Sequence, residues 1–128
     1  MITYLDSSAL VKLFAEEAES TALREALAGL NNLASSVLAR LETSRAARAT
    51  GLSVSAAEAV LATVALIPID DEVIGAAIGI DPASVRSLDA IHLATAVSLG
   101  EQLGVLITYD TRMRAAAEDL GIAAMAPS

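Results

Sequence analysis

Short apolar segments alternate with amphipathic segments of helical period along the whole chain. Residues 2–5 are apolar and β-prone and end at Asp6, which predicts a buried strand, and residues 105–108 give the strongest strand prediction. Three further short strands are predicted at residues 31–35, 66–69 and 122–125. Helices are predicted for residues 7–16, 19–27, 37–50, 53–65, 88–99 and 110–121, and one more begins near residue 70.

This alternation predicts a parallel α/β sheet with helices on its faces. No repeat, low-complexity run or linker interrupts the sequence, so we predict a single domain over residues 1–128. Within the helices, the large apolar side chains are expected to turn inward. In the first helix these are Leu10, Leu13 and Phe14, and in the third Val37, Leu38 and Leu41.

Composition narrows the class of protein. The chain is 55% hydrophobic with a mean hydropathy of +0.59, which excludes a disordered chain. The absence of cysteine excludes a disulfide scaffold, a thiolate zinc site and a cysteine nucleophile. The longest strongly apolar stretch, residues 59–69, is far shorter than the roughly 20 residues of a membrane span. The early acid Asp6 is unlike a signal peptide. We therefore expect a cytoplasmic protein with no membrane partner.

Four acidic residues stand at positions where sites form in parallel sheets. Asp6 and Asp110 each follow a predicted strand, and sites gather at the carboxyl ends of such strands. Asp89 lies in the first turn of a helix, and Glu42 lies in the middle of one among apolar neighbours. Each acid alone has a structural explanation, as a turn residue, a helix cap or a charge opposing the helix dipole.

The four acids together indicate a functional site more strongly than any one of them does alone. Both strand-end acids have a hydroxyl two residues away, Ser8 after Asp6 and Thr108 before Asp110. If the four acids meet, their repulsion raises their pKa values and destabilises the fold unless a cation compensates. Mg²⁺ prefers a few carboxylates and keeps several waters. A water of lowered pKa is a nucleophile suited to phosphodiesters.

A net charge of −8 is unfavourable for binding nucleic acid, because phosphates attract cations. The basic residues are nevertheless clustered. Seven of the eight lie within six residues of one of the four acids, as a rim that contacts phosphates would. Ion pairs on helix surfaces, such as Arg45 with Glu42 one turn earlier, are the alternative explanation.

Four segments together resemble the PIN-domain ribonucleases, and specifically the VapC-type toxins of bacterial toxin–antitoxin pairs. They run in order over nearly the whole chain: Tyr4-Leu-Asp-Ser-Ser-Ala-Leu-Val-Lys12, Leu41-Glu42, Arg86-Ser-Leu-Asp-Ala-Ile-His-Leu-Ala94 and Thr108-Tyr-Asp110. The resemblance implies a three-layer α/β/α PIN-like domain with a mainly parallel central sheet. It also implies an endoribonuclease that uses Mg²⁺, or Mn²⁺, to cut structured RNA such as tRNA or rRNA. A homodimer and a cognate VapB-type antitoxin are implied as well.

The resemblance assigns roles to individual residues. The catalytic acids would be Asp6, Glu42, Asp89 and Asp110. Asp6 and Asp89 would be the principal metal ligands with Asp110 assisting, while Glu42 would act through water or as a base. Ser8 and Thr108 would orient the ligands. The residues expected to position the RNA backbone are Arg45, Arg86 and Arg112. Some family members have a further acid where this chain has Arg112, so a second metal site is not implied.

Three other residues near the acids receive structural assignments. His92 follows Asp89 by one helical turn and is expected to pack and hydrogen-bond a neighbour, because a hard cation needs no imidazole. Tyr4 and Tyr109, which adjoin the strand-end acids, are expected to serve packing rather than base stacking. The apolar first helices near Leu10, Leu13 and Phe14 are expected to form the dimer and antitoxin-binding face.

Two other classes of protein remain as alternatives. A catalytically silent PIN-like module would bind RNA or a protein partner without cutting, although all four expected acids are present. A receiver-like phosphoacceptor would need a second acid beside Asp6 and a late lysine, whereas Leu5 and Ser7 flank Asp6 and Lys12 is the only lysine. A phosphatase of the haloacid dehalogenase type would need an acid in place of Ser8.

Overall fold

The computed structural model describes residues 1–128, the whole chain. The strands are β1 (Ile2–Leu5), β2 (Leu33–Ser36), β3 (Ala65–Ile67), β4 (Leu103–Ile107) and β5 (Ala124–Met125). The helices are α1 (Ser7–Val11), α2 (Ser20–Leu27), α3 (Leu38–Ala49), α4 (Val54–Leu61), α5 (Asp71–Ile78), α6 (Ser87–Ser98) and α7 (Thr111–Asp119). A short 3₁₀ turn over Gly100–Gln102 precedes β4.

The five strands form one parallel sheet in the order β3-β2-β1-β4-β5. This confirms the predicted parallel α/β architecture. The chain adds β2 and β3 on one side of β1, and then returns to add β4 and β5 on the other side. A crevice forms above the carboxyl ends of the strands where the order reverses in this way. The crevice of this fold therefore lies above β1 and β4.

Helices cover both faces of the sheet, which gives the expected three layers. Leu5 and Ile107 pack in a cluster with side chains of α1 to α4. Tyr4 and Leu106 pack in a second cluster with side chains of α6 and α7. Successive strand residues point to opposite faces, so β1 and β4 are buried on both sides. Burial of a leucine-sized side chain contributes about 1.5–3 kcal/mol, and this holds the ends of both strands in place.

The first helix is shorter than predicted. It ends at Val11 rather than at residue 16. The reason is the hydroxyl of Ser20, which donates to the Lys12 carbonyl (2.7 Å) and accepts from the Glu17 amide (2.9 Å). These bonds satisfy backbone groups that further helical turns would have used.

The inward face of α3 also differs from the prediction. Its buried residues are Ala39, Thr43 and Ala47, whereas Leu41 is 59% exposed and Val37 is exposed as well. Small side chains at this four-residue spacing let α3 approach its neighbours closely. The Thr43 hydroxyl donates to the Ala39 carbonyl (2.7 Å), so its burial leaves no unpaired polar group. The prediction of an inward orientation was therefore wrong for Val37 and Leu41, whereas Leu38 is half-buried.

The apolar residues near α1 do not form the expected free face. Leu10 is fully buried in the core, so it has no surface to offer a partner, and Leu13 and Phe14 are half-buried. Exposed apolar side chains lie instead on α3, α5 and α6, with Ile78 of α5 being 82% exposed. No helix has the length and apolar character that a membrane crossing requires.

Candidate active site

Asp6 stands at the end of β1, at the centre of the carboxyl edge of the sheet. It is only 2% exposed, and both carboxylate oxygens are hydrogen-bonded. Oδ1 accepts from the Ser8 hydroxyl (2.6 Å) and from the Ala9 amide (3.1 Å), which caps α1. Oδ2 accepts from the Thr108 hydroxyl (2.5 Å). These three hydrogen bonds hold the carboxylate in one orientation.

Ser8 and Thr108 also join the end of β1 to the loop after β4. The Ser8 hydroxyl oxygen accepts from the Tyr109 amide (2.9 Å), and the Thr108 hydroxyl oxygen accepts from the Asp110 amide (3.1 Å). Asp110 in turn caps α7, because its Oδ1 accepts from two amides of that helix. The two hydroxyls therefore connect Asp6 to the segment that carries Asp110.

Asp89 and Asp110 face each other across an open groove of about 530 Å³ between α6 and α7. Asp89 lies in the first turn of α6, and its carboxylate accepts no hydrogen bond. The groove has charged and apolar walls. Its other lining residues include Arg86, Arg112, Val85 and Met113.

Glu42 is held by a different set of contacts. Its Oε1 accepts a hydrogen bond from the Ser7 hydroxyl and contacts Nε2 of His92 at 2.7 Å. Burial acts to raise the pKa of Glu42, but the hydrogen bonds from His92 and Ser7 outweigh it and lower the pKa below its ordinary value. The expected surface ion pair between Arg45 and Glu42 does not form. Glu42 is thus joined to the other acids through Ser7 and His92 rather than by direct contact.

The three aspartates have no ion-pair partner among the basic side chains. Burial raises the pKa of Asp6, against the lowering effect of the bonds from Ser8 and Thr108. Burial also raises the pKa of Asp89, followed by repulsion from Asp110 and, more weakly, from Asp6. None of the three forms an ion pair. The sequence-predicted acids Asp6, Asp89 and Asp110 therefore share one electrostatic environment, in which a cation would be stabilised.

The donor atoms of this cluster fit a hard divalent cation, although they do not yet enclose one. Carboxylate oxygens are the ligands that Mg²⁺ prefers. In their present positions, no three acidic or histidine side chains are close enough to hold a metal ion together. Joint ligation of an ion by Asp6, Asp89 and Asp110 would therefore require their carboxylates to move closer together.

The basic residues divide into paired and free ones. Lys12 pairs with Glu19 (2.8 Å) and Glu17 (3.5 Å), and Arg114 pairs with Glu118. These two basic side chains are therefore not free to contact phosphates. Arg86 and Arg112 form no ion pair and line the groove. Arg45 also forms no ion pair, but it lies outside this groove, on the exposed side of α3 beside Arg48.

Sequence reasoning missed that Ser7 and His92 both contact Glu42 and that Tyr4 contacts His92. The expectation that His92 bonds a neighbour is confirmed, since its Nδ1 lies 2.7 Å from the Tyr4 hydroxyl and its Nε2 contacts Glu42. Tyr4 packs in the core as expected, and its hydroxyl adds this polar contact. One signal was available: His92 is the only histidine of the chain and lies one turn after Asp89.

Comparison with known proteins agrees with this fold. Residues 3–119 match the family model of the PIN domain. The chain is 51% identical to ribonuclease VapC46 of Mycobacterium tuberculosis, over 98% of this chain and 97% of that protein. It is 36% identical to ribonuclease VapC47 of the same organism, over 97% of this chain and 96% of that protein. A match to the PIN domain over this length rules out the receiver-like and phosphatase alternatives.

Two solved structures share the fold. A crystal structure of VapC20 from Mycobacterium tuberculosis, described as a toxin that cleaves the sarcin-ricin loop, superposes with a TM-score of 0.75 at 15% identity, covering 98% of this chain and 99% of that one. A toxin–antitoxin complex from Klebsiella pneumoniae gives a TM-score of 0.69 at 24% identity, covering 88% and 90%. At these identities, the likeness concerns the fold.

Proposed function

The chain belongs to the PIN-domain family, and from this premise we propose that it is a metal-dependent endoribonuclease, the toxin of a VapBC-type toxin–antitoxin pair. The observation that carries the proposal is the group of Asp6, Asp89 and Asp110, none of which forms an ion pair. It borders a groove with two free arginines. The ribonuclease names of the relatives support the same activity.

Mg²⁺ is the proposed ion, with Mn²⁺ as a substitute, held by Asp6 and Asp89 with assistance from Asp110. When bound, the ion supplies positive charge for the phosphate and lowers the pKa of a coordinated water. Ser8 and Thr108 hold the Asp6 oxygens in place through the bonds described above. Fixed ligands need no reorganisation during the reaction, which is the basis of electrostatic preorganisation.

Glu42 is the proposed proton acceptor. Hydrogen bonds from Ser7 and His92 favour its ionised form, and an ionised carboxylate accepts protons. Only one of its oxygens takes part in these bonds, so the other is free to face a water molecule. Glu42 would take the proton from the attacking water as the phosphodiester bond breaks.

The groove between α6 and α7 is the proposed RNA-binding site. Arg86 and Arg112 line it beside Asp89 and Asp110, and their unpaired guanidinium groups suit phosphate oxygens. Arg45 would contact the RNA backbone beyond the groove. The substrate is proposed to be structured RNA of the tRNA or rRNA kind. The protein would act in the cytoplasm.

The proposed partners are a cognate VapB-type antitoxin and a second copy of this chain. The exposed apolar side chains of α3, α5 and α6 offer surface for protein contacts. Sedimentation of the purified toxin, alone and with its antitoxin, measures both assemblies.

RNA cleavage by wild type and by Asp6→Asn tests the function. The wild type is expected to cut tRNA or rRNA in Mg²⁺ and to stop in EDTA, whereas Asp6→Asn is inactive in both. Asp71→Asn makes the same chemical change at an exposed site of α5 and serves as the control that keeps activity. Equal cleavage by wild type and Asp6→Asn would assign the activity to a contaminant.

The two unpaired arginines of the groove also suit a second candidate, a PIN-like module that binds RNA without cutting it. This candidate predicts that wild type binds RNA with and without Mg²⁺ and leaves it intact. The same cleavage assay, run beside a binding assay, separates the two functions.

A further inference from the structure

A buried chain of polar contacts crosses the carboxyl edge of the sheet and ends on Glu42. The Tyr4 hydroxyl lies 2.7 Å from Nδ1 of His92, and Nε2 of His92 lies 2.7 Å from Oε1 of Glu42. His92 is only 2% exposed, whereas Glu42 remains partly open to solvent. Tyr4 belongs to β1, His92 to α6 and Glu42 to α3. The contacts therefore join the two helical layers directly, through His92 and Glu42, and tie His92 to the central strand through Tyr4.

Donor and acceptor capacities fix the direction of these bonds. Burial raises the pKa of the Tyr4 phenol, which keeps its proton and can donate it. The Glu42 carboxylate only accepts. An arrangement that satisfies both neighbours has Tyr4 donating to Nδ1 and the Nε2–H of His92 donating to Glu42. The ring of Tyr4 also meets the imidazole edge-on, with centroids 5.9 Å apart, which restrains rotation of His92.

We propose that His92 is a positioning residue of the active site, which Tyr4 holds as the Nε2–H tautomer and which fixes the Glu42 carboxylate at the edge of the groove. This inference rests on the proposed ribonuclease function. The Ser7 hydroxyl donates to the same oxygen of Glu42 and lies 3.3 Å from Nε2 of His92. Together, the two donors leave the second carboxylate oxygen free for water.

Two histidine substitutions of matched chemistry separate positioning from packing. In His92→Gln, the side-chain amide reaches about as far as Nε2 and can still donate to Glu42. In His92→Asn, the amide is one methylene shorter and cannot reach it. Loss of an orienting hydrogen bond commonly lowers activity about 10- to 100-fold. We expect that loss in kcat for His92→Asn, with KM for RNA changed less than about threefold, and near-normal kcat for His92→Gln.

A role confined to folding predicts a different result. Both variants would then lower the midpoint of thermal unfolding, and both would keep the wild-type kcat when assayed well below that midpoint. Equal kcat values for wild type, His92→Gln and His92→Asn would overturn the proposal. So would an equal loss of kcat in the two variants, since only one of them can reach Glu42.

A spectroscopic test requires no ribonuclease activity. His92 is the only histidine, so untagged protein labelled with ¹⁵N-histidine gives the nitrogen signals of one imidazole. The spectrum at pH 7 is expected to show a protonated Nε2 and an unprotonated Nδ1. Tyr4→Phe is expected to shift the Nδ1 signal, and Glu42→Gln the Nε2 signal. A protonated Nδ1 with a bare Nε2, or an imidazole unaffected by either variant, would contradict the proposal even if no form of the protein cuts RNA.

The two proposals can fail separately. If wild type cuts RNA and Asp6→Asn does not, but Glu42→Gln retains full activity, the ribonuclease function stands and positioning through Glu42 is refuted. If wild type does not cut RNA while the nitrogen signals respond to both variants, the ribonuclease function is refuted and the hydrogen-bond chain stands.

Discussion

The Thr108 hydroxyl donates a hydrogen bond of 2.5 Å to Oδ2 of Asp6, across 102 positions of the sequence. The bond is buried and joins the ends of two neighbouring parallel strands. Without it, one oxygen of a buried carboxylate loses its partner. The same threonine also accepts from the Asp110 amide, so a single side chain holds two acids of the proposed site in register.

Replacement of Thr108 by valine tests this relationship. The two side chains have similar shape, so packing is preserved while the hydroxyl is lost. A buried polar group left without its partner costs about 1–3 kcal/mol, and we expect Thr108→Val to lose that much free energy of unfolding. Urea denaturation measures the loss. In Thr63→Val, an exposed hydroxyl is removed, and the change should stay within about 0.5 kcal/mol. Equal free energies of unfolding for Thr108→Val and Thr63→Val would contradict the stabilising hydrogen bond from Thr108 to Asp6.

Divalent cations are expected to stabilise the protein through the aspartate cluster. A ligand at 100 times its dissociation constant adds about 2.7 kcal/mol to the free energy of unfolding. Thermal unfolding in EDTA and in rising Mg²⁺ or Mn²⁺ should therefore show a higher midpoint with metal for wild type and for the Asp71→Asn control. Asp6→Asn and Asp89→Asn should show little or none of this rise. A rise of equal size in Asp89→Asn would place the ion elsewhere.

The contribution of Glu42 to stability should depend on pH. Burial acts against the charged form, but the bonds from His92 and Ser7 prevail and lower its pKa. A carboxyl with a lowered folded-state pKa stabilises the fold above its unfolded pKa and loses this contribution as the pH falls through the folded pKa. We expect Glu42→Gln to be less stable than wild type at pH 7 in EDTA. The difference should shrink below pH 4.5, the ordinary pKa of glutamate.

The matched control for this measurement is Glu58→Gln, an exposed position on α4. Its stability relative to wild type should not change over the same pH range. A difference between wild type and Glu42→Gln that stays constant from pH 7 down to the acid limit of folding would refute the lowered pKa of Glu42.

Arg86 and Arg112 are expected to serve RNA binding rather than the chemical step. Removal of one phosphate contact weakens binding and lowers the slope of log affinity against log salt by about one. Arg86→Ala and Arg112→Ala should each raise KM for RNA with kcat nearly unchanged. Arg24→Ala serves as the control, because Arg24 belongs to α2, pairs with Glu16 and lies outside the groove. Loss of kcat at unchanged KM would contradict the phosphate-binding role.

Sequence patterns predicted the strands and the two aspartates at their ends because both are local properties. An apolar run that stops at an acid, as at Asp6, can be recognised from neighbouring residues in the sequence alone. The bond between Glu42 and His92 is not local, since it joins helices from opposite layers of the sheet. Periodicity within α3 indicates a face of that helix, but not which side chain of another helix it meets.

The wrong predictions for the inward face of α3 and the end of α1 have the same origin, since both features depend on contacts with other parts of the chain. Leu41 was expected to face inward because large apolar residues usually do, yet α3 packs through Ala39, Thr43 and Ala47. Close approach of neighbouring helices favoured small residues at the contact. Likewise, the end of α1 is set by Ser20, nine residues after Val11, through bonds that no pattern inside α1 reveals.

Anomalous scattering from a crystal of the protein grown with Mn²⁺ tests the central claim most directly, because it locates the ion. The account predicts one principal manganese peak at the carboxyl edge of β1 and β4, coordinated by Asp6 and Asp89 with Asp110 beside it, and loss of that peak in Asp89→Asn. A manganese peak away from these carboxylates, or no peak at saturating Mn²⁺, would contradict it.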